Sequence, residues 1–480
     1  MNLHLRNSNS EITAEVCVIG GGPAGATIAR KLALLGHSVC LIEKTDNSQN
    51  KVGESLPPNI LVLLDALGLR KRLEDACFLR PDKTIVRWSD KSDFTKHSNG
   101  QRGFLVNRGR FDQILLEAAK EAGVKVIQPA QAMHPVFDDT QCWNIPVKYS
   151  SGLLKIKAKY LIEAVGKHSF FGRKRERFSA PTVALYAYWQ NPNVEKHATL
   201  IEAGRKEWFW GAHLPDGNFS AMVFIDPKRR RSNRNLESFY RSFLAESSLL
   251  RGCLEGTITS KIKGCDASSY IDTEPVNKHL IKVGETCFSI DPLSSQGVQA
   301  AMSSGLQGSF VVHTLLTRPE NSADAIQFYQ NRQKETVARH HKFAAQFYSE
   351  AYFHNTESFW QERANLESPL LPLSPQKASG LSDNVRLRLS DSATLIDVPC
   401  IVGDIIAKRR ALMHPDFERP VAYVNNAEIA SLLNIISQGG TSTEIKQAWL
   451  PYISPLESAG IIDWLYTTGI LVDSLLDRSK

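Results

Sequence analysis

An apolar run entering a glycine cluster, a helix-forming stretch behind it and a second apolar run ending in an acid predict an α/β fold with a doubly wound, Rossmann-like core. Glu15-Val-Cys-Val-Ile-Gly20 has the unbroken apolar character of a strand buried on both faces. Gly20-Gly-Gly-Pro-Ala-Gly25 follows, and Ala26 to Leu35 carries good helix formers up to Gly36, a natural helix stop. Ser38-Val-Cys-Leu-Ile-Glu43-Lys44 is the second strand, and it completes a βαβ unit of about 30 residues.

The spacing Gly20-x-Gly22-x-x-Gly25 assigns each glycine a task. One permits the tight turn, one lets backbone approach a pyrophosphate, and one allows close helix–strand packing. The helix beginning at Pro23 and Ala24 offers its unpaired N–H groups and positive dipole end to the phosphates. Glu43, followed by Lys44, stands where a carboxylate accepts ribose hydroxyls, so the stretch predicts dinucleotide binding. Which dinucleotide is left open by this motif.

Further along, Pro58 to Leu73 has helical spacing of Leu and Ile, Phe111 to Ala122 is an amphipathic helix, and Val124 to Ile127 is a strand. Tyr160 to Gly166 is a short strand running into a glycine, and Val183 to Asp226 turns to strands rich in aromatic residues. Leu280 to Gly284 returns to a buried strand, Gly297 to Leu316 reads as a long helix, and Ser322 to Ala364 continues as helix. Leu366 to Asp383 collects Pro, Ser and Gly as a linker does. Beyond it, Val385 to Leu389 alternates like a strand. From Asn426 three helical stretches, broken at Gln438-Gly-Gly440 and near Pro451, lead to Gly469-Ile-Leu-Val472, an order resembling a winged helix-turn-helix module.

Composition narrows the classes. The 480 residues allow roughly two to four domains. With 42% hydrophobic and 22% charged residues the chain is an ordinary globular one, neither disordered nor fibrous. Its +7 charge is too diffuse to announce a nucleic-acid binder. No two of the cysteines at 17, 40, 77, 142, 253, 265, 287 and 400 form a C-x-x-C pair, so no metal is expected. The polar stretch Met1 to Glu15 lacks the apolar core of a signal peptide, and no run of about 18 apolar residues is present. A cytoplasmic, reduced chain without membrane or nucleic-acid partners is expected.

Four further stretches resemble the FAD-binding elements of single-component flavoprotein monooxygenases and of the related flavin-dependent halogenases. Gly53-Glu54-Ser55-Leu56-Pro57 resembles the G-E-S/A segment that halogenase-like members place beside the flavin. Val106-Asn-Arg108-Gly-Arg110-Phe111-Asp112 resembles their R-x-x-F-D helix start, which implies Arg108 near the cofactor. Leu161-Ile-Glu163-Ala-Val-Gly166-Lys-His-Ser169 resembles D-A-T-G-x-x-S. Val283-Gly284-Glu285 through Asp291-Pro292-Leu-Ser-Ser-Gln-Gly297-Val298 resembles the G-D…D-P…G-x-G/N segment, whose acid holds the ribitol and whose helix start meets the flavin pyrimidine. The resemblance covers about residues 14–350 and implies FAD as cofactor. Glu163 and Glu285 replace the usual Asp and reach one methylene further.

The halogenase branch carries W-x-W-x-I-P, and here Trp208-Phe-Trp210 precedes Pro215 with two extra residues between. Trp208 and Trp210 are expected either to line the substrate pocket or to fill an aromatic core strand. A halogenase also needs a lysine to hold hypohalous acid, and Lys83 falls where the resemblance would place it. The other reading of Lys83 is a surface lysine opening a strand. A hydroxylase needs no such lysine, because flavin hydroperoxide delivers oxygen directly to an electron-rich ring.

The stretches Ile401 to Ile406, Ala411 to Pro415 and Arg419 to Val424, with the winged-helix-like tail, resemble flavoproteins that mature tryptophylquinone cofactors in glycine oxidase and lysine ε-oxidase systems. That resemblance implies hydroxylation of a tryptophan in a partner protein, a quinoprotein oxidase precursor, using O₂ and electrons from NAD(P)H or a flavin reductase. A halogenase or a small-molecule aromatic hydroxylase is the alternative. Glu54 and Lys83 are the candidate catalytic residues.

The implied organisation is an FAD-binding domain at 1–80, 104–175 and 275–320, and an inserted antiparallel β-sheet substrate domain at 81–103 and 176–274. A helical segment at 321–365, a linker at 366–384 and a C-terminal winged-helix-like module at 385–480 complete it. Basic runs at 173–177 and 228–234 read as solvated loops or as a docking patch for an acidic protein. Adjacent His340 and His341 point about 100° apart on a helix and cannot form one metal face. Lys446 is the only Lys or Arg between Val421 and Leu475, so the tail suits protein docking better than DNA.

Overall fold

In the computed structural model, residues 11–46, 51–88, 94–97, 102–150, 152–172, 174–229, 235–364 and 384–474 are described. A parallel sheet is built around the strand Glu11–Ile19, whose last four residues are all buried. Its neighbours are Val39–Ile42 on one side and Gly152–Glu163 on the other, with Lys125–Ile127 and Leu280–Lys282 outside them, all parallel. Parallel strands covered on both faces need continuous apolar sequence, and Val-Cys-Leu-Ile at 39–42 supplies it. The 12-residue strand Gly152–Glu163 serves two further partners besides Glu11–Ile19. Its first half pairs antiparallel with Trp143–Tyr149, and its end pairs with Leu280–Lys282.

Helices Pro23–Leu34, Arg108–Glu121 and Gly297–Thr317 belong to this layer. The first and third approach closely: a Cβ on Gly305 would lie 2.5 Å from the Ala24 carbonyl oxygen. The helical stretch expected at 58–73 is two helices, Ile60–Ala66 and Arg70–Asp75, because Gly68 adopts a left-handed φ of +62° between them. The helix expected over 322–364 ends at His354 and resumes only as Ser358–Gln361. At the break Asn355 donates its side-chain amide to the Gly204 and Arg205 carbonyls.

The aromatic stretch forms a second sheet. Val183–Gln190, Phe219–Ile225, Glu207–His213 and Ala198–Ala203 follow one another antiparallel, and Lys83–Arg87 joins the last of them in parallel. Period-two alternation sorts its residues. Tyr186, Tyr188, Trp208, Trp210, Met222 and Phe224 enter one buried cluster. Leu185, Trp189, Phe209 and Val223 enter another, which includes Phe239, Tyr240 and Phe243 of helix Leu236–Glu246.

The chain divides into two compact units, Met1–Ser322 with Tyr329–Glu367, and Ala323–Phe328 with Ser368–Lys480. In the second unit a three-stranded sheet orders Gly440–Thr441, Arg386–Leu389 and Leu471–Asp473, and a hairpin joins Thr394–Val402 to Ile405–Met413. Helices Ile429–Ile435, Ser442–Trp449 and Pro455–Thr467 complete it around Leu387, Ile429, Trp449, Ile461 and Leu465. Thr441 and Ser454 each open a helix with a capping box. The linker at 366–384, apart from Asn384, lies outside the described residues, as do Arg173, Arg230, Arg231 and Arg234 of the basic runs. Among the described residues no helix is long and apolar enough to cross a membrane.

Candidate active site

A cleft of about 710 Å³, all within the first unit, is walled by the glycine loop, the segment Lys51–Ser55, the loop Ser289–Val298 and the aromatic sheet. That volume lies within the usual range of ligand pockets. The glycines divide the labour as their spacing requires. A side chain on Gly25 would collide with the Gly20 carbonyl, and Gly20 itself has a φ of +105°. A Cβ on Gly22 meets nothing within 4 Å, so the backbone there is open to a close-lying group.

Two helix N-termini contribute to the cleft without side-chain caps. Gly22 precedes Pro23–Leu34, with Pro23 and Ala24 among the lining residues. Gln296 precedes Gly297–Thr317, with Gly297, Val298 and Ala301 lining. Uncapped N–H groups and positive dipole ends on one cavity favour an anionic ligand.

Glu43 is buried at the end of its strand and lines the cleft beside exposed Lys44. Its Oε2 accepts the Gly21 N–H at 2.6 Å, and its Oε1 accepts the Thr45 N–H and hydroxyl at 2.9 and 2.7 Å. The carboxylate is therefore oriented in advance, and Oε2 keeps a further lone pair for a ribose hydroxyl. Arg108 also lines the cleft. It donates to the Val52 carbonyl at 2.6 Å and forks onto Asp112 at 3.1 and 3.2 Å. Lys51 stands 3.4 Å from the same carboxylate.

Glu54 and Ser55 both line the cleft. The Glu54 side chain is 2% exposed and joins two layers. Its Oε1 accepts the Tyr188 hydroxyl at 2.9 Å and the Ser220 hydroxyl at 3.4 Å, and its Oε2 accepts the Gly53 N–H at 2.8 Å. Burial raises its pKa above the ordinary carboxylate value, against the pull of the Tyr188 hydrogen bond and the Arg108 charge. A proton can be held at this position.

The two glutamates expected in aspartate positions part company. Glu285 is exposed, lines the cleft beside Gly284 and Pro292, and lies 3.6 Å from Lys167. Glu163 does not line it. Its longer side chain turns to accept the Phe170 N–H at 2.7 Å and the Ser169 hydroxyl at 3.0 Å, so it orders its own loop.

Trp208 and Trp210 are 1% and 6% exposed, and both line the cleft. Trp208 stacks on Phe224 with ring centroids 3.7 Å apart. The Trp210 indole N–H is buried without a hydrogen-bond partner among the described residues, and such a donor is costly unless a ligand accepts from it.

Lys83 requires a correction. Its strand pairs with Ala198–Ala203, and its ammonium lies 2.8 Å from Glu195 in a partly exposed ion pair, outside the cleft-lining residues. Residues that sequence reasoning passed over include Thr45, Lys51, Asp112, Lys167 and Cys265, all lining. Asp112 carried a readable signal, since it stands four residues after Arg108 on one helix. Of the adjacent histidines, His340 is buried, with a pKa pushed down to about 4 by burial and Arg339, and His341 is half-buried. Among the described residues no cluster of three or more His, Cys, Asp or Glu could hold a metal.

The cleft fits FAD: an open backbone at Gly22, two uncapped helix starts and a pre-oriented ribose acid match its pyrophosphate and sugar. Residues 13–235 match the model of the FAD binding domain. A tryptophan 2-halogenase of Chondromyces crocatus is 29% identical over 376 residues, covering 73% of this chain and 72% of the relative. LodB of Marinomonas mediterranea, an FAD-dependent oxidoreductase by provisional name, is 28% identical over 364 residues, covering 73% of this chain and 96% of the relative. Among solved structures, the flavin-dependent halogenase CmlS superposes with a TM-score of 0.79 at 19% identity, over 98% of this chain and 97% of that one. QhpG, a peptidyl tryptophan dihydroxylase essential for tryptophylquinone cofactor biogenesis, superposes with a TM-score of 0.75 at 24% identity, over 95% of this chain and 99% of that one. At these identities the superpositions speak for the fold, and the domain match and the sequence relatives speak for the cofactor and the class. The chain is thus a flavin-dependent enzyme that carries an FAD-binding domain, is similar in sequence to a tryptophan 2-halogenase and to LodB, and has the fold shared by CmlS and QhpG.

Proposed function

We propose that this flavoprotein is a monooxygenase that hydroxylates a tryptophan side chain of a partner polypeptide, a quinoprotein oxidase precursor, during tryptophylquinone biogenesis. The observation that carries the reading is the position of Lys83. Halide chemistry needs a lysine at the substrate end, and Lys83 is held on the surface by Glu195. The lysines that do line the cleft include Lys51 and Lys167, engaged with Asp112 and Glu285. The peptidyl tryptophan dihydroxylase activity of QhpG, a neighbour in fold, supports the same substrate class.

In this reading Gly20, Gly22, Gly25, Glu43 and Lys44 hold the adenosine and pyrophosphate. Arg108, Glu285 and the loop Pro292–Val298 hold the ribitol and ring. FAD supplies the activation of O₂, with electrons from NAD(P)H or a flavin reductase. The apolar wall of Trp208, Met222 and Phe224 excludes water and stacks the incoming indole. Trp210 offers its N–H to an oxygen at the reacting end, and Glu54 holds or moves a proton there. The FAD-binding and substrate domains take the boundaries expected above, and the module at 385–480 is winged-helix-like and docks the partner, with no role in nucleic-acid binding. The enzyme acts in the cytoplasm.

Co-expression of the chain with the quinoprotein precursor, followed by mass spectrometry of the precursor's tryptophan peptides, tests the reading. Oxygen addition that depends on this chain is expected, and none above a chain-free control would sink it. Halogenation of free tryptophan on addition of halide is the second reading, favoured by the halogenases among the sequence relatives. It predicts a halide-dependent mass gain on the amino acid with no partner present.

A further inference from the structure

We propose that Tyr348, which lies outside the cleft, is a positioning residue for the flavin: its hydroxyl holds Asp291, and Asp291 holds the loop Pro292–Val298 that walls the cleft. The inference rests on the FAD cofactor and not on the substrate assigned above.

The Tyr348 hydroxyl lies 3.2 Å from Asp291 Oδ1 and 3.1 Å from Oδ2, across 57 residues of sequence. Both side chains are buried, at 2% and 5% exposure. Asp291 is not among the cleft-lining residues, but Ile290, Pro292, Ser295, Gly297 and Val298 are. Its Oδ1 also accepts the Leu293 N–H at 3.0 Å, and its carbonyl accepts the Ser294 hydroxyl at 3.1 Å. That local cap sets up Ser295 in a left-handed conformation, φ +52°, two residues before the helix start at Gly297. A non-glycine residue held there is strained and persists only where its surroundings fix it. The Asp291 carboxylate is the fixing point, and Tyr348 anchors that carboxylate to the helix Ser322–His354.

Aromatic rings surround Tyr348. Trp88 and Trp360 rings lie 6.4 and 6.0 Å from the Tyr348 ring. The charged group that acts on Asp291 is the buried Arg363 guanidinium, itself held by the Pro181 carbonyl and the Thr182 hydroxyl and influenced by Asp226 and Glu362. Burial outweighs the Leu293 and Tyr348 hydrogen bonds and Arg363, and lifts Asp291 to about 6. Protonation therefore weakens the loop anchor near neutral pH, and the flavin site feels it.

FAD titration of the full apo chain across this pH range is the test, with bound flavin read by fluorescence quenching. Wild-type affinity is expected to fall as pH drops through about 6, because the anchoring acceptor is the ionised carboxylate. Tyr348→Phe should weaken binding at pH 7.5 by roughly 2- to 10-fold. It should also move the midpoint upward, since the lost hydrogen bond favoured the charged form. Asp291→Asn should bind FAD with no pH dependence in this window. Tyr329→Phe, on the same helix but donating to the Lys282 carbonyl, should bind as wild type. A wild-type profile without a midpoint there overturns the proposal. So does a Tyr348→Phe midpoint that stays put, or an equal loss in Tyr329→Phe, which would mark general loosening of the helix.

Discussion

The Tyr188 hydroxyl donates to Glu54 Oε1 at 2.9 Å, and this bond joins the aromatic sheet to the segment beside the flavin loop. The acid end of the site is therefore fixed by a residue of the aromatic sheet. Glutamine can replace Glu54 by turning its carbonyl to the Gly53 N–H and its amide to the tyrosine oxygen. Glu54→Gln should keep its FAD and lose roughly 10²-fold in turnover, as loss of a proton-handling group does. The folded pKa is raised, so the contribution of this group to stability is largest in acid and is lost as pH rises through the folded value. Glu54→Gln should flatten that part of a melting-temperature–pH curve, and an unchanged curve would exclude the buried acid as its source.

The glycine loop separates folding from binding. Gly25→Ala drives a methyl into the Gly20 carbonyl, so the variant should lose ~1–3 kcal/mol and its FAD together. Gly22→Ala has room in the apo chain, so its melting temperature should hold while FAD content falls. Equal melting loss in both would show that Gly22 is packed.

Lys83→Ala removes a partly exposed ion pair with Glu195, worth ~0–1 kcal/mol. Oxygen insertion should stay within about twofold of wild type. Abolished turnover in a folded, FAD-loaded variant would return Lys83 to the chemistry and favour halogenation.

Trp210→Phe removes the unpartnered indole N–H while keeping an aromatic wall. Lost packing and relief of the orphan donor oppose each other, each at ~1–3 kcal/mol, so the melting temperature should shift little. Product yield should fall at equal FAD loading. An unchanged yield would make Trp210 a wall residue only.

What the sequence made legible follows from how local each signal is. The glycine loop, the helix at Pro23 and the acid at Glu43 lie within one βαβ unit, and the contacts that orient Glu43 come from Gly21 and Thr45. Trp208 and Trp210 were legible as a pair because alternation alone puts them on one face. The two readings of Lys83 could not be separated from the sequence, because its neighbour Glu195 is set by a parallel pairing between distant strands. The extra methylene of Glu163 was legible, but not that it would be used to reach Ser169 and Phe170. The Asp291–Tyr348 contact was invisible, since nothing in either segment names the other.

The alternation in Glu207–His213 has a consequence for how this enzyme can diverge. Trp208 and Trp210 meet the cleft, while Phe209 between them enters the core shared with helix Leu236–Glu246. Point substitutions at 208 and 210 can retune which ring is accepted without disturbing the opposite core. A single-residue insertion or deletion upstream in that strand would instead exchange the faces, sending Phe209 to the flavin and both tryptophans into the opposite core. Lineages of this fold are thus free to explore substrates by replacement, while length changes are confined to the turns at the ends of the strand.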